Sequence, residues 1–209
     1  MAQRREHPRH KDDGSHQDSV FESVKNGLVS TIEGTGDVMK SVVDTTSNTL
    51  AATMKGAGKT AAEGAHAITE VTRGVIHGAS EIGSDLGEAA QGAVIGVLHG
   101  TKHMGSEAMD TIGHTSGSVI RSTAEVGGDL GTAAKGLVQG AIRGARDVGV
   151  NAEQAASAAA TGALDAAGKV GSSAAEKVRD AVTGTISGVK VVLKEPFKSD
   201  RDSFKPDRP

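Results

Sequence analysis

The chain has 209 residues, with three Phe, no Tyr, no Trp, no Cys, 29 Gly and a formal net charge of −3. So few aromatics leave a bulky core without its usual material, and the missing cysteines remove disulfides, thiolate zinc sites and cysteine nucleophiles. The near-neutral balance offers no strong field for nucleic acid or an anionic membrane.

Residues 1–19 open the chain as a polar segment. Met1 to His16 carry charge, Pro8 and no apolar stretch of the signal-peptide kind. They read as a disordered tail. From there to residue 193 no proline interrupts the chain, as long helices require.

Within that region a large aliphatic residue recurs every 22 positions, at Ile32, Met54, Ile76, Leu98, Ile120, Ile142, Leu164 and Ile186. The unit is clearest as Gly74-Val-Ile-His-Gly78, Gly96-Val-Leu-His-Gly100, Ser118-Val-Ile-Arg-Ser122 and Gly140-Ala-Ile-Arg-Gly144. A shift of 44 matches still better: Glu81-Ile-Gly-Ser-Asp-Leu-Gly-Glu-Ala-Ala90 lies over Glu125-Val-Gly-Gly-Asp-Leu-Gly-Thr-Ala-Ala134. A fixed period marks a repetitive architecture.

Twenty-two is twice eleven, and eleven residues make three helical turns. Stepping 4, 3, 4 from Val75 passes through Ile82, Leu86, Val97, Val119, Val126, Leu130, Leu137, Val148, Val170 and Val189 to Val192. Of the 33 positions visited, four are Thr, 29 are Ala, Val, Ile, Leu or Met, and none is charged. The period-two alternation of a strand is absent from this reading. The pattern predicts an all-α protein of long amphipathic helices with an 11/22-residue repeat. Small residues border the stripe on one side, and Gly83, Val94, Gly105, Gly127, Val138 and Gly149 border it on the other.

Gly74 to Gly188 contains 22 Gly. At about 1 kcal/mol each relative to Ala, the helix forgoes on the order of 20 kcal/mol, and an Ala-rich stripe returns little by burial. These terms predict a chain largely disordered in dilute solution that becomes helical when a surface or loss of water favours it. A straight helix over residues 20–193 would be roughly 260 Å long, bending at Gly127-Gly128 or between Gly56 and Gly64.

Residues 194–209 hold three of the four prolines and read as a second disordered tail. The longest apolar stretch, Gly92 to Leu98, falls far short of the ~18 residues of a membrane span. The expectation is a cytoplasmic protein.

Lys59-Thr-Ala-Ala-Glu-Gly64 and Gly74-Val-Ile-His-Gly-Ala79 resemble the eleven-residue repeats of synucleins. Thr132-Ala-Ala-Lys-Gly136 and the Ala-, Thr- and Gly-rich run from Ala155 to Lys169 resemble late embryogenesis abundant proteins of the eleven-residue class. Perilipins and exchangeable apolipoproteins share the helical period. The resemblance covers roughly residues 20–193, and the chain departs from it in having fewer Lys and Glu and more Gly. It implies a non-enzymatic protectant against desiccation, osmotic or cold stress that folds on water loss or at surfaces and shields membranes and proteins. Two alternatives use the same face: a peripheral coat of a membrane, lipid droplet or polyester granule, and a structural right-handed coiled-coil oligomer.

The candidate binding face is Ile76, Ile82, Leu86, Val97, Leu98, Val119, Ile120, Val126, Leu130, Leu137, Ile142, Val148, Leu164, Val170, Val189 and Val192. Its expected partners are a membrane surface or partly unfolded client proteins, with self-association and without nucleic acid. His77, His99, Arg121 and Arg143 share one angular position, where they either meet lipid phosphates or form a solvated flank. Repeated small-x-x-x-small pairs such as Gly96/Gly100 permit close helix approach.

No cofactor, metal or catalytic residue is expected. His7, His10 and His16 cluster, and His99 and His103 stand four apart, a spacing that can chelate a metal. No acidic or cysteine partner is fixed beside them, and they read as solvated residues. Gly127-Gly-Asp-Leu-Gly131 and Gly92-Ala-Val-Ile-Gly96 follow no strand and contain no Gly-Lys-Ser/Thr, so neither reads as a phosphate loop.

Overall fold

The 22-residue period is one helix and its turn. In the computed structural model, which describes residues 13–35, 37–55, 61–102 and 108–193, the eight helices are α1 (Asp13–Thr35), α2 (Val38–Met54), α3 (Ala61–Glu81), α4 (Leu86–Thr101), α5 (Ala108–Glu125), α6 (Leu130–Val148), α7 (Ala152–Val170) and α8 (Ser172–Val182). Gly83, Gly127 and Gly149 end α3, α5 and α6 with φ of 67°, 69° and 80°, left-handed values that an L side chain resists. Gly105 belongs to the same series and lies outside the described residues.

Each turn is written as a stop followed by a start. After α3 the Ser84 N–H donates to the Ala79 carbonyl at 2.8 Å and the Gly83 N–H to that of Ser80 at 3.1 Å, the paired bonds of a glycine C-cap. Two residues later the Asp85 carboxylate accepts the Glu88 N–H at 2.9 Å and caps α4. The next-but-one turn repeats this, with Gly128 donating to Thr123 at 2.8 Å and Asp129 capping Thr132 at 2.6 Å. The strong match of residues 81–90 to 125–134 is thus a helical-hairpin turn recurring every second helix.

Chain direction reverses at each turn, so helices two apart run parallel, and the α4/α6, α5/α7, α2/α4 and α1/α3 pairs pack most extensively. Helices α1, α3, α5 and α7 form one layer, and α2, α4, α6 and α8 the other. Glycine sets the spacing within each layer. Gly92, Gly96 and Gly100 of α4 meet Val42, Thr46 and Leu50 of α2, fifty positions back in each case. A Cβ at Gly96 would stand 2.6 Å from Thr46 Cβ, and one at Gly140 would stand 2.5 Å from the Gln91 carbonyl oxygen. These contacts bring backbone to backbone, and the dispersion energy so gained offsets part of the low helix propensity of Gly. The core is correspondingly small-grained. Ala89, Ala90, Ala93, Ala133, Ala134, Ala141, Ala145, Ala156, Ala159 and Ala163 are all buried among Val, Ile and Leu.

After α8 the chain forms a hairpin of β1 (Gly184–Ile186) and β2 (Val189–Val191), antiparallel, with Ile186 opposite Val189. The two connecting residues, Ser187 and Gly188, have φ of 48° and 80°, as a primed two-residue turn requires. Ile186, Val189 and Val191 are buried, and β2 packs on α7. The hairpin and the charged outer residues of α8, Glu176, Lys177, Arg179 and Asp180, close this end of the stack, as polar capping units do in repeat proteins.

The all-α expectation therefore holds, with four corrections. Among the described residues the region is eight short helices rather than a few long ones, with left-handed Gly83, Gly127 and Gly149 stopping α3, α5 and α6. Residues 13–19 belong to α1, so the N-terminal tail of 1–19 is too long; residues 1–12 lie outside the described chain. Residues 184–191 are strands, because Ile186, Val189 and Val191 put one apolar face on α7. The helices pack into a continuous core with no outside surface, whereas the glycine and alanine content predicted disorder. The missing element was glycine as a contact surface. Of the two expected bends, Gly127-Gly128 is a turn. At the other, Gly64 lies inside α3 and residues 56–60 are outside the described chain, as is the tail 194–209.

Candidate functional site

The amphipathic stripe lies between the chain's own helices. Ile76, Val97, Leu98, Val119, Ile120, Leu130, Leu137, Ile142 and Val189 are buried, and Ile82, Leu86, Val126, Val148 and Leu164 are partly buried against the same core. Val170 and Val192 alone among the sixteen are well exposed, at 48% and 58%. The face expected to meet a partner meets itself, because every second helix supplies a complementary copy at a constant offset.

The four residues read from the sequence as one line, lipid-facing or a solvated flank, are divided between the two layers. His77 and Arg121 stand in the layer of odd-numbered helices, His99 and Arg143 in the other. His77 Nε2 lies 3.2 Å from Glu125 Oε2, and His99 Nε2 lies 3.5 Å from Asp147 Oδ2. Arg121 donates to Ser118 Oγ at 3.0 Å, and Arg143 reaches Met39 Sδ at 3.7 Å. His77 and His99 thus reach the next helix of their own layer, Arg121 stays within α5, and Arg143 reaches α2.

A polar seam that the periodicity did not reveal runs between α3 and α5. Positions four apart on α3 supply Ala65, Thr69, Arg73 and His77. Facing them on α5 are His114, Ser118 and Glu125. The His114 Nε2–H donates to the Ala65 carbonyl at 2.9 Å and lies 3.0 Å from Thr69 Oγ1, which is 3.3 Å from Ser118 Oγ. The carbonyl can only accept, so the proton sits on Nε2. Glu125 Oε2 then accepts from Arg73 Nε at 3.1 Å as well as meeting His77. Arg73 stacks over Phe21 of α1 at 5.3 Å, and the Phe21 ring meets His77 edge-on at 5.4 Å. The signal was present in the sequence. Ser118 and Ser122 replace the Gly pair that occupies the same place at 74/78, 96/100 and 140/144.

Asp129 is the one described group whose ionisation is clearly displaced. The Thr132 N–H, then the Thr132 side chain and the Lys177 charge, hold its carboxyl below the ordinary value. It borders a cleft of about 290 Å³ that Leu130, Val170, Ala174 and Lys177 also line. With its carboxylate used to cap α6, Asp129 serves the turn.

Among the described residues no three His, Asp or Glu come together as a metal site. His7, His10 and His103 lie outside those residues, and His16 falls in α1. Among the described residues no helix is long and apolar enough to cross a membrane.

No family model, curated protein or solved structure matches this chain.

Proposed function

We propose that the chain is a non-catalytic protectant of the late embryogenesis abundant type, one that stores its amphipathic helices folded against one another and releases them to an apolar surface. The observation that carries this reading is the stripe itself. Its 33 stepped positions are uncharged, and the described ones that form the core are largely Ala and Val. Such a face buries little area per helix, so a membrane or an exposed apolar patch of a damaged protein replaces the internal partner at small net cost. Water loss shifts the balance further, since it weakens the hydrophobic drive that holds the helices on one another and strengthens backbone hydrogen bonds. The protective state is therefore an opened set of helices that keep their secondary structure, rather than a coil that acquires it. The capped end of the stack speaks for action as a dispersed chain over action as an endless filament.

The test is circular dichroism with parallel protection assays. The chain in dilute buffer, after drying, and with vesicles should stay helical throughout, and a labile enzyme dried with it should retain activity beyond an equal mass of albumin. Loss of near-neighbour contacts with retained helicity, read by fluorescence transfer between labels on α3 and α5, should accompany protection. A chain that never opens, or that protects no better than albumin, overturns the reading. Flotation with lipid droplets or granules in unstressed cells would favour a permanent coat instead.

A further inference from the structure

The stack is uneven along its odd layer. Glycine backbone meets the parallel neighbour at Gly74 and Gly78 between α1 and α3, at Gly92, Gly96 and Gly100 between α2 and α4, at Gly136 and Gly140 between α4 and α6, and at Gly162 between α5 and α7. Between α3 and α5 no described glycine does so. Gly74 and Gly78 face α1, Gly64 faces Met54 of α2, and Gly113 and Gly117 face α7. The hydrogen-bonded groups of Thr69, His114, Ser118, Arg73, His77 and Glu125 take the place of that contact. Of the five buried hydroxyls without a hydrogen-bond partner among the described residues, three belong to these two helices, at Thr72, Ser116 and Thr123.

We propose that the α3/α5 seam is the line along which the folded chain opens, while α4 remains packed against α2 and α6 as the hinge. The inference deepens the surface-exchange reading and rests on it for the partner, a lipid surface; the opening itself is a property of the free chain. The physical case is a comparison of interfaces. Parting a glycine-lined pair exposes Ala and Val that water cannot compensate. Parting α3 from α5 exposes imidazole, hydroxyl, guanidinium and carboxylate groups, and water satisfies them all. Beneath the seam lies α4, which packs across both α3 and α5. All of its residues from Gly92 to Leu98 are buried, and they form the longest apolar stretch of the chain. An opened seam thus uncovers only the side of that stretch not held by α2 and α6, flanked by cationic Arg73 and Arg121, an arrangement suited to lipid headgroups around an acyl surface.

The chain has no cysteine, so one introduced pair makes one bridge. Thr69 Oγ1 and Ser118 Oγ are 3.3 Å apart, and a Thr69→Cys, Ser118→Cys variant locks the seam. A Gly117→Cys, Ala166→Cys variant locks α5 to α7 instead, where a Cβ on residue 117 stands 3.8 Å from Ala166 Cβ, the ordinary disulfide spacing. Amide hydrogen exchange of the free chain should slow at least tenfold over α3 to α5 when the seam lock is oxidised, and return on reduction. The α5/α7 lock should leave α3 and α4 within twofold. Vesicles of phosphatidylcholine, with and without phosphatidylglycerol, should bind the oxidised seam lock at least tenfold more weakly than its reduced form. A Glu125→Arg variant, which sets like charges against Arg73, needs no disulfide and should speed exchange over α3 to α5 severalfold while leaving α1 and α2 unchanged. Equal exchange in oxidised and reduced seam locks, or equal slowing by both locks, overturns the proposal, as does unchanged exchange in Glu125→Arg. If exchange follows expectation but no form binds either vesicle, the opening stands and the lipid-surface reading falls.

Discussion

Gly136 rests against the carbonyl group of Gly87, so close that a methyl group on Gly136 would occupy the space of the oxygen. Two helices separated by 49 positions therefore touch through bare backbone. That contact inverts the usual expectation for glycine in a helix, since the residue that weakens the helix strengthens the pair.

Substituting Gly136→Ala should destabilise the fold by about 2–3 kcal/mol, as overpacking does, although Ala is the better helix former. Gly27 of α1 is exposed with open space around its Cα, and Gly27→Ala should stabilise by about 1 kcal/mol. Urea unfolding of both variants checks the pair. Shifts of the same sign would contradict the glycine-spaced packing.

The cap at Asp129 gives a prediction in pH. The Thr132 bonds hold its folded pKa below the ordinary aspartate value, so its stabilising contribution is present above the unfolded pKa and is lost as pH falls through the folded pKa. Asp129→Asn keeps the cap without the charge and should flatten that part of the stability–pH curve. Asp129→Ala should lose about 1 kcal/mol at neutral pH. Thermal melts between neutral pH and strong acid measure both.

Ser187 holds a left-handed conformation, φ 48°, that its side chain disfavours. Replacing it by Gly or Asn should stabilise the hairpin by a few tenths of a kcal/mol. Gly188→Val should unpair β1 from β2 and raise amide exchange at Ile186 and Val191 without altering α4. Exchange rates for those amides decide the matter.

Glu125 and Arg73 are each close to half exposed, at 46% and 45%, so Glu125→Gln should cost less than about 1 kcal/mol of global stability. The small loss should shrink further in 1 M salt, where screening is strong. A loss of several kcal/mol would mean that the seam carries far more of the fold than its polarity implies.

The helical class and the uncharged stripe were legible in the residues themselves, since Val75, Ala79, Ile82 and their successors admit no other period. The destination of the stripe was not. A 4-3-4 pattern looks the same whether its partner is lipid or another copy of the pattern. The four-residue turns hid in it as well. Residues 82–85 occupy about one helical turn, so the count runs through them undisturbed, and only the Gly-x-Asp sequence betrays the break. Thr185, Val189 and Val192 fit the same count by coincidence of residue type, which concealed the strands. The seam was legible in principle, as serine where glycine belongs at 118 and 122, but a reading that scored apolarity alone counted both as small residues.

The constant offset between Gly92 and Val42, Gly96 and Thr46, and Gly100 and Leu50 means that each helix offers forward the same kind of surface that it accepts from behind. Length is then an adjustable property of this architecture. Duplicating residues 86–129 in place inserts one more hairpin whose neighbours on both sides already fit it, and removing them rejoins units that also match. The quantity of apolar surface held in reserve scales with the number of hairpins, so gene-level duplication tunes capacity without designing a new interface.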